Sequence, residues 1–296
     1  MNTLNIISRL ESPEVLVCDG ATGTNLQKRG LEKGDPAEKW VLEKPENIKQ
    51  LYQDFADAGS DIILSCTFGA SKIRLEQHSL SDSFNIINQT AVALAKEVTS
   101  NKEIFIAGSM GPLGQLMQPL GLLSEEDVFT AYAQQAELLS NAGVDFLLIE
   151  TQFDLNEANT AIKACHSVSS LPIVCSFSFD RGTRTMMGVK PHQFVDSVEE
   201  LDIQVIGINC GRSLKENVEV LNTISHLTNK PIWFKPNAGL PSVDSKGNTI
   251  YSVSPEEMGK AAKGWLNSGA KIVGGCCGST PQHVKCISDA IRNINK

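Results

Sequence analysis

The sequence contains no apolar run approaching the roughly 18 residues that cross a bilayer as a helix, so no membrane span is expected. Its opening stretch, MNTLNIISRLESPEVLVCDG, lacks a basic segment followed by an apolar one, the pattern of an export signal. A cytoplasmic protein is predicted. Positive charge is scarce: 26 Lys and Arg stand against 34 Asp and Glu, and a formal net charge of -8 offers no broad surface to a phosphate backbone. Nucleic acid is therefore not an expected partner. With 12 prolines, 41% apolar residues and no low-complexity tract, the composition is that of a globular chain rather than a disordered one.

Cysteine is the residue that is not scarce. The chain has 8 of them: Cys18, Cys66, Cys165, Cys175, Cys210, Cys276, Cys277 and Cys286. Without an export signal a disulfide scaffold explains them poorly, and reduced thiols are expected, some packed and some chemical.

Short β-branched runs alternate with longer amphipathic stretches. The strand candidates are VLVC (15–18), DIILS (61–65), IFIAG (104–108), DFLLIE (145–150), IVCSFS (173–178), QVIGIN (204–209), PIWFKP (231–236) and KIVGG (271–275). Near-continuous apolar strands followed by helical periodicity indicate a parallel sheet buried on both faces. Helix starts at Ser124 and Ser254 carry acidic residues three positions on, and DAGSDII, NAGVDFL and NSGAKIV each place a glycine between a helix and the next strand. Eight such units predict an α/β fold, a (β/α)8 TIM barrel spanning 1–296 as a single domain. A doubly wound open sheet would more usually have about six strands and a glycine-rich phosphate loop after the first. The segments 24–40, 110–123 and 240–253 exceed the simple rhythm. All follow strands, and so fall on the face where barrel active sites form.

On that face Cys210 follows the sixth strand, in GINCG, and Cys276 and Cys277 follow the eighth, in GGCCG. Adjacent cysteines alone could be packing residues or a vicinal disulfide. With Cys210 on the same rim, three thiols can converge, and three thiolates form a zinc set that leaves one tetrahedral position open. Such a centre activates water poorly but holds a further thiol as a nucleophilic thiolate, so sulfur alkylation is the expected reaction class. The other cysteines are expected to pack, with Cys66 ambiguous. Lys235, at a strand end, is either a rim charge or a Schiff-base lysine. His283 is expected to cap or pack the first turns of the final helix.

The chain resembles the zinc-dependent homocysteine S-methyltransferases, and most of all the N-terminal homocysteine-binding module of cobalamin-dependent methionine synthase. The matching pieces are VCDGATGTNL (17–26), SCTFGAS (65–71), GPLG (111–114), IET (149–151), GINC (207–210), KPNAG (235–239) and GGCCGSTPQHV (274–284). The resemblance implies that Cys210, Cys276 and Cys277 hold catalytic Zn2+. It implies that Asp19 and Glu150 receive the amino group of L-homocysteine, that Gly20 and Thr67 help hold its carboxylate, and that Asn209 and Asn237 order the loops beside the metal. The implied reaction is methyl transfer to the homocysteine thiol, giving methionine, with a methyl donor that is either a small onium compound or a methylated corrinoid supplied by a separate protein. Cys66 and Gln152 depart from the methionine synthase pattern. Folate- and cobalamin-binding domains are not expected, because the sequence ends with the barrel. Three rivals stay open: transfer to another thiol or within a corrinoid-linked demethylation system, a phosphate-binding barrel using GGCCGSTP as an anion nest, and a non-catalytic zinc-bound partner subunit.

Overall fold

The computed structural model describes residues 5–245 and 249–293. Residues 1–4 and 294–296 of the expected 1–296 domain, and 246–248 of the 240–253 segment, lie outside the described residues. In chain order the strands are β1 (Leu16–Val17), β2 (Ile62–Leu64), β3 (Phe105–Met110), β4 (Phe146–Gln152), β5 (Ile173–Phe177), β6 (Val205–Cys210), β7 (Ile232–Pro236), β8 (Pro241–Val243), β9 (Thr249–Tyr251) and β10 (Ala270–Val273). Eight of them form one parallel sheet in the order β1-β10-β7-β6-β5-β4-β3-β2, and a parallel bridge between Cys18 and Ile62 joins its two ends. The fold is the expected α/β barrel, and every strand predicted from apolar runs is present.

Two packing layers account for the sequence pattern. Side chains at alternate strand positions point into the barrel, where Leu16, Leu64, Phe105, Leu148, Trp233 and Ile272 share one buried cluster with Ile6 and Leu10 of the N-terminal helix Ile6–Glu11. Phe146 meets Trp233 edge-on inside it, with ring centroids 6.3 Å apart. The intervening positions pack outward against the helices in a second, larger cluster. Because both faces are covered, the strands read as continuous apolar runs.

Local chemistry sets the helix ends. The Asp127 N–H donates to Ser124 Oγ and the Ser124 N–H donates back to the Asp127 carboxylate, closing a capping box; Ser254 and Glu257 repeat it. Gly59, Gly143 and Gly269, the glycines expected between helix and strand, have φ values of 94°, 85° and 95°, the left-handed region where a side chain would strain the backbone. The 240–253 segment contains a feature not expected from sequence, the antiparallel hairpin β8–β9, which pairs Pro241 with Tyr251 and Val243 with Thr249.

Candidate metal centre and substrate pocket

Inward alternation continues past the apolar layers to the C-terminal ends of the strands. There the side chains become polar: Ser109 on β3, Glu150 on β4, Ser176 on β5, Asn209 on β6 and Lys235 on β7, all buried. Cys210, next after Asn209, has the wrong parity to face the same way. It adopts a φ of 58°, one of three positive values among described non-glycine residues, and this left-handed turn swings the chain at the strand end. Its carbonyl oxygen accepts the Asn217 side-chain amide at 2.7 Å and the Asn237 N–H at 3.3 Å, which hold the turn.

The GGCCG turn after β10 is tied down on both sides. The Cys276 N–H donates to Pro236 O at 2.8 Å, the Ala238 N–H to Cys277 O at 2.9 Å, and the Ser279 hydroxyl to Cys276 O at 2.6 Å. Gly278 has a φ of 80°, and a Cβ there would lie 2.2 Å from the Tyr251 ring, so only glycine lets the hairpin aromatic rest on this turn. From that seat the Tyr251 hydroxyl donates to the Cys277 sulfur.

The result is a three-thiol cluster. Cys210 Sγ lies 3.0 Å from Cys276 Sγ and 3.7 Å from Cys277 Sγ, and all three sulfurs fall within 4.8 Å of one another. Metal–thiolate bonds of about 2.3 Å in a tetrahedron place sulfurs about 3.8 Å apart, close to this spacing and well beyond a disulfide bond of about 2.05 Å. Hydrogen bonds to Cys276 and Cys277 push the Cys210 thiol well above its ordinary range, while hydrogen bonds from Cys210 and Cys276 hold the Cys277 thiol well below. Three thiols this close cannot all ionise without a compensating cation, and three soft anionic donors suit a thiophilic metal ion. Asn237 adds an acceptor at the same place: its amide N–H donates to Gly211 O at 2.7 Å, and its Oδ1 is buried with no hydrogen-bond partner. The residues present fit a bound metal.

Asn209 knits the floor. Its Oδ1 accepts the Thr151 N–H at 2.9 Å and the Ser176 hydroxyl at 2.7 Å, and its Nδ2 donates to Thr151 Oγ1 at 2.7 Å with Cys276 Sγ at 3.8 Å. Thr151 is itself left-handed, at φ 60°, so the Asn209 network pins a strained turn between Glu150 and the metal cluster.

Asp19 and Glu150 both reach the barrel mouth, in different states. Asp19 forms a buried ion pair with Lys235 at 2.6 Å, and a Cβ on Gly274 would press on the backbone carbonyls of Cys18 and Asp19 at 2.9 and 2.8 Å. Burial alone would lower the Lys235 pKa, but the Asp19 carboxylate outweighs it and holds the ammonium protonated, which removes the nucleophile a Schiff base needs. Glu150 accepts the Ser109 hydroxyl, and burial pushes its pKa up to about 7 against the opposing pull of Lys235. The Gly20 N–H donates to none of the described residues, whereas Thr67 is fully buried and its hydroxyl donates to Ser109 O at 2.7 Å. A cavity of about 570 Å³ lies under the hairpin, walled by Thr24, Gln27, Leu31, Tyr251, Gly278 and His283; the three cysteines, Asp19 and Glu150 are not among its walls.

Four of the five cysteines outside the cluster are buried, and Cys286 on the last helix is only half-buried. Cys18, Cys66, Cys165 and Cys175 are buried, and burial raises each thiol's pKa, which leaves them inert. Cys66 packs after β2, its N–H donating to the Tyr52 hydroxyl at 2.7 Å, and Gln152 donates to the Tyr132 hydroxyl at 3.0 Å. His283 caps the final helix, its Nδ1 accepting the Thr280 N–H at 3.1 Å. Sequence reasoning missed Ser109, Thr151, Ser176 and Tyr251. Strand parity from Glu150 and Asn209 would have found the two serines; nothing local marks Thr151 or Tyr251.

Comparison with known proteins agrees with this geometry. The chain is 29% identical to the methionine synthases of Mycobacterium tuberculosis and Mycobacterium leprae, over 96% and 95% of its own length. It spans about a quarter of the length of these curated relatives, 25% and 24%. Among solved structures it superposes on the metallated form of the homocysteine methyltransferase MmuM from Escherichia coli with a TM-score of 0.81, at 22% identity, covering 95% of this chain and 97% of that one. The profile described as homocysteine S-methyltransferase matches residues 16–291, from the first barrel strand to the end of the last helix, and on that match the chain belongs to the homocysteine S-methyltransferase family.

Proposed function

We propose that this barrel transfers a methyl group to the thiol of L-homocysteine, giving methionine, with Zn2+ held by Cys210, Cys276 and Cys277. The convergence of three sulfurs within 4.8 Å carries the reading. A zinc ion bound there would lower the pKa of a fourth thiol and keep its sulfur nucleophilic at neutral pH.

The chain's own residues do the rest. Asn209 and the Tyr251 hydroxyl hold Cys276 and Cys277 in place. Glu150, together with Asp19 in its ion pair with Lys235, supplies the carboxylates where the substrate amino group enters, and the Gly20 N–H can meet its carboxylate. In the transfer, the thiolate electron pair forms the S–CH3 bond while the methyl–carrier bond breaks with its electrons leaving on the carrier. The donor is an electrophilic methyl compound of onium or corrinoid type, the latter delivered by a separate protein. No described helix is long and apolar enough to cross a membrane, in keeping with a cytoplasmic enzyme.

The test is a panel of methyl donors, methylcobalamin and a methylated corrinoid protein included, assayed for methionine with homocysteine and zinc. Methionine formation with any of them supports the reading; failure of every donor together with failure to bind homocysteine would sink it. Cys276→Ala should lose both zinc and turnover. Retention of about one zinc per chain with full activity would contradict the ligand assignment.

A further inference from the structure

The turn that follows β2, CTFGA at 66–70, has its backbone held by side chains from other parts of the chain. The Cys66 N–H donates to the Tyr52 hydroxyl at 2.7 Å, and the Gly69 N–H to Glu38 Oε1 at 2.6 Å. Gln135 Nε2 donates to Thr67 O at 2.8 Å, and Asn88 Nδ2 to Ala70 O at 2.9 Å. Gln135 Nε2 also lies 3.3 Å from Asn88 Oδ1, so the two amides support each other. Glu38 caps the helix Lys39–Glu43, while Asn88 and Gln135 sit inside the helices Phe84–Thr99 and Glu125–Ala142. All three are buried, and burial pushes the Glu38 carboxyl pKa up. Apolar side chains would cost less to bury at these positions. What the polar ones secure is the shape of one turn.

That turn is connected to the barrel mouth. The Ser65 hydroxyl donates to Thr67 Oγ1 and the Thr67 hydroxyl to Ser109 O, each at 2.7 Å, while the Ser109 N–H returns to Ser65 Oγ at 3.1 Å and the Ser109 hydroxyl reaches Glu150. A shift of the turn therefore displaces the end of β3 and the polar floor beside it. We propose that Glu38, Asn88 and Gln135 are positioning residues that hold the 66–70 turn in its substrate-binding shape before any substrate arrives. The proposal rests on the homocysteine reading above and deepens it. A turn ordered only on binding would subtract its ordering entropy from the affinity, whereas this clamp moves that cost to folding. None of these hydrogen bonds reaches the turns that carry Cys210, Cys276 and Cys277, so the clamp governs recognition of the amino acid end of the substrate and leaves the thiol–metal end alone.

Calorimetry on the zinc-loaded protein tests this, using L-homocysteine and 1-propanethiol, the same thiol end without the amino acid head. Glu38→Leu and Gln135→Leu should each weaken homocysteine binding by on the order of 10-fold, the loss expected when one buried support is removed. Zinc affinity and propanethiol binding should stay as they are in the unaltered protein. Glu38→Gln keeps an acceptor for the Gly69 N–H and should restore homocysteine affinity to within about threefold. Unchanged homocysteine affinity in both folded leucine variants overturns the proposal, and so does an equal loss for the two thiols, which a general loosening of the fold would produce. Amide hydrogen exchange on the unaltered protein decides the matter even where a leucine variant fails to fold. The Cys66 and Gly69 amides should be protected in the zinc-loaded protein without homocysteine; protection that develops only when homocysteine is added overturns the proposal. An unaltered zinc-loaded protein that binds no homocysteine overturns the proposed function and this inference with it, whereas the other adverse outcomes overturn the inference alone.

Discussion

Glu150 is the residue at which burial and function pull against each other. Its carboxyl faces Ser109 from β3, Lys235 from β7, Asp19 after β1 and Cys276 after β10, and burial among them raises its pKa to about 7. A carboxyl whose folded pKa lies above its unfolded value of about 4.3 binds a proton on folding between those two values. Its contribution to stability is therefore present below about 4.3 and is lost as the pH rises to about 7. Glu150→Gln removes that loss, and chemical denaturation above about 7 should find the variant more stable by on the order of 2 kcal/mol. The ionised form is also the one that pairs with an ammonium, so homocysteine binding should strengthen as the pH is raised through about 7. Asn209 makes the opposite case. Its amide fills one buried network and pins the left-handed Thr151, so Asn209→Ala should destabilise the fold by about 2–4 kcal/mol and lower metal affinity together, measured by denaturant titration and chelator competition.

At the scale of elements, the hairpin β8–β9 contributes to the site in a way its own sequence does not reveal. Val243 and Ile250 are 68% and 47% exposed, so the hairpin has little core of its own. What anchors it is Tyr251 lying on Gly278 with its hydroxyl on Cys277. Tyr251→Phe should leave the fold unchanged and weaken metal retention by about 10-fold, read against a chelator of known affinity. The helices are specified differently, by their own ends. Ser254→Ala removes one half of a capping box and should cost about 1 kcal/mol in thermal denaturation, without effect on the metal site.

For the whole molecule, barrel closure and metal binding are linked. The three thiols come from β6 and from the turn after β10, with β7 between them in the sheet, so a metal ion held there would tie together strands distant in sequence. Chelation should lower the melting temperature by on the order of 10 °C, and added zinc should restore it. The apolar plug below the site carries the closure itself. Trp233→Ala, which empties the interior beside Phe146, should cost about 3–5 kcal/mol and bring Lys235 down with it, so ion-pair geometry and stability should fail together.

The sequence by itself determined the eight strands, because apolar runs buried on both faces leave no alternation to misread, and the helix ends, because caps and left-handed glycines act within a few residues. It also determined which cysteines could be chemical, since Cys210, Cys276 and Cys277 are the ones set in glycine-bounded turns at the ends of the sixth and eighth strands. The tertiary structure alone decided that Asp19 is already paired with Lys235, a contact across β10 between residues 216 positions apart in the chain. It alone decided that Thr151 and Cys210 turn left-handed and that Tyr251 lies over Cys277. Ion pairing, strain at a strand end and aromatic cover depend on distances between segments that share no local pattern, and closure of the barrel is what brings them within reach.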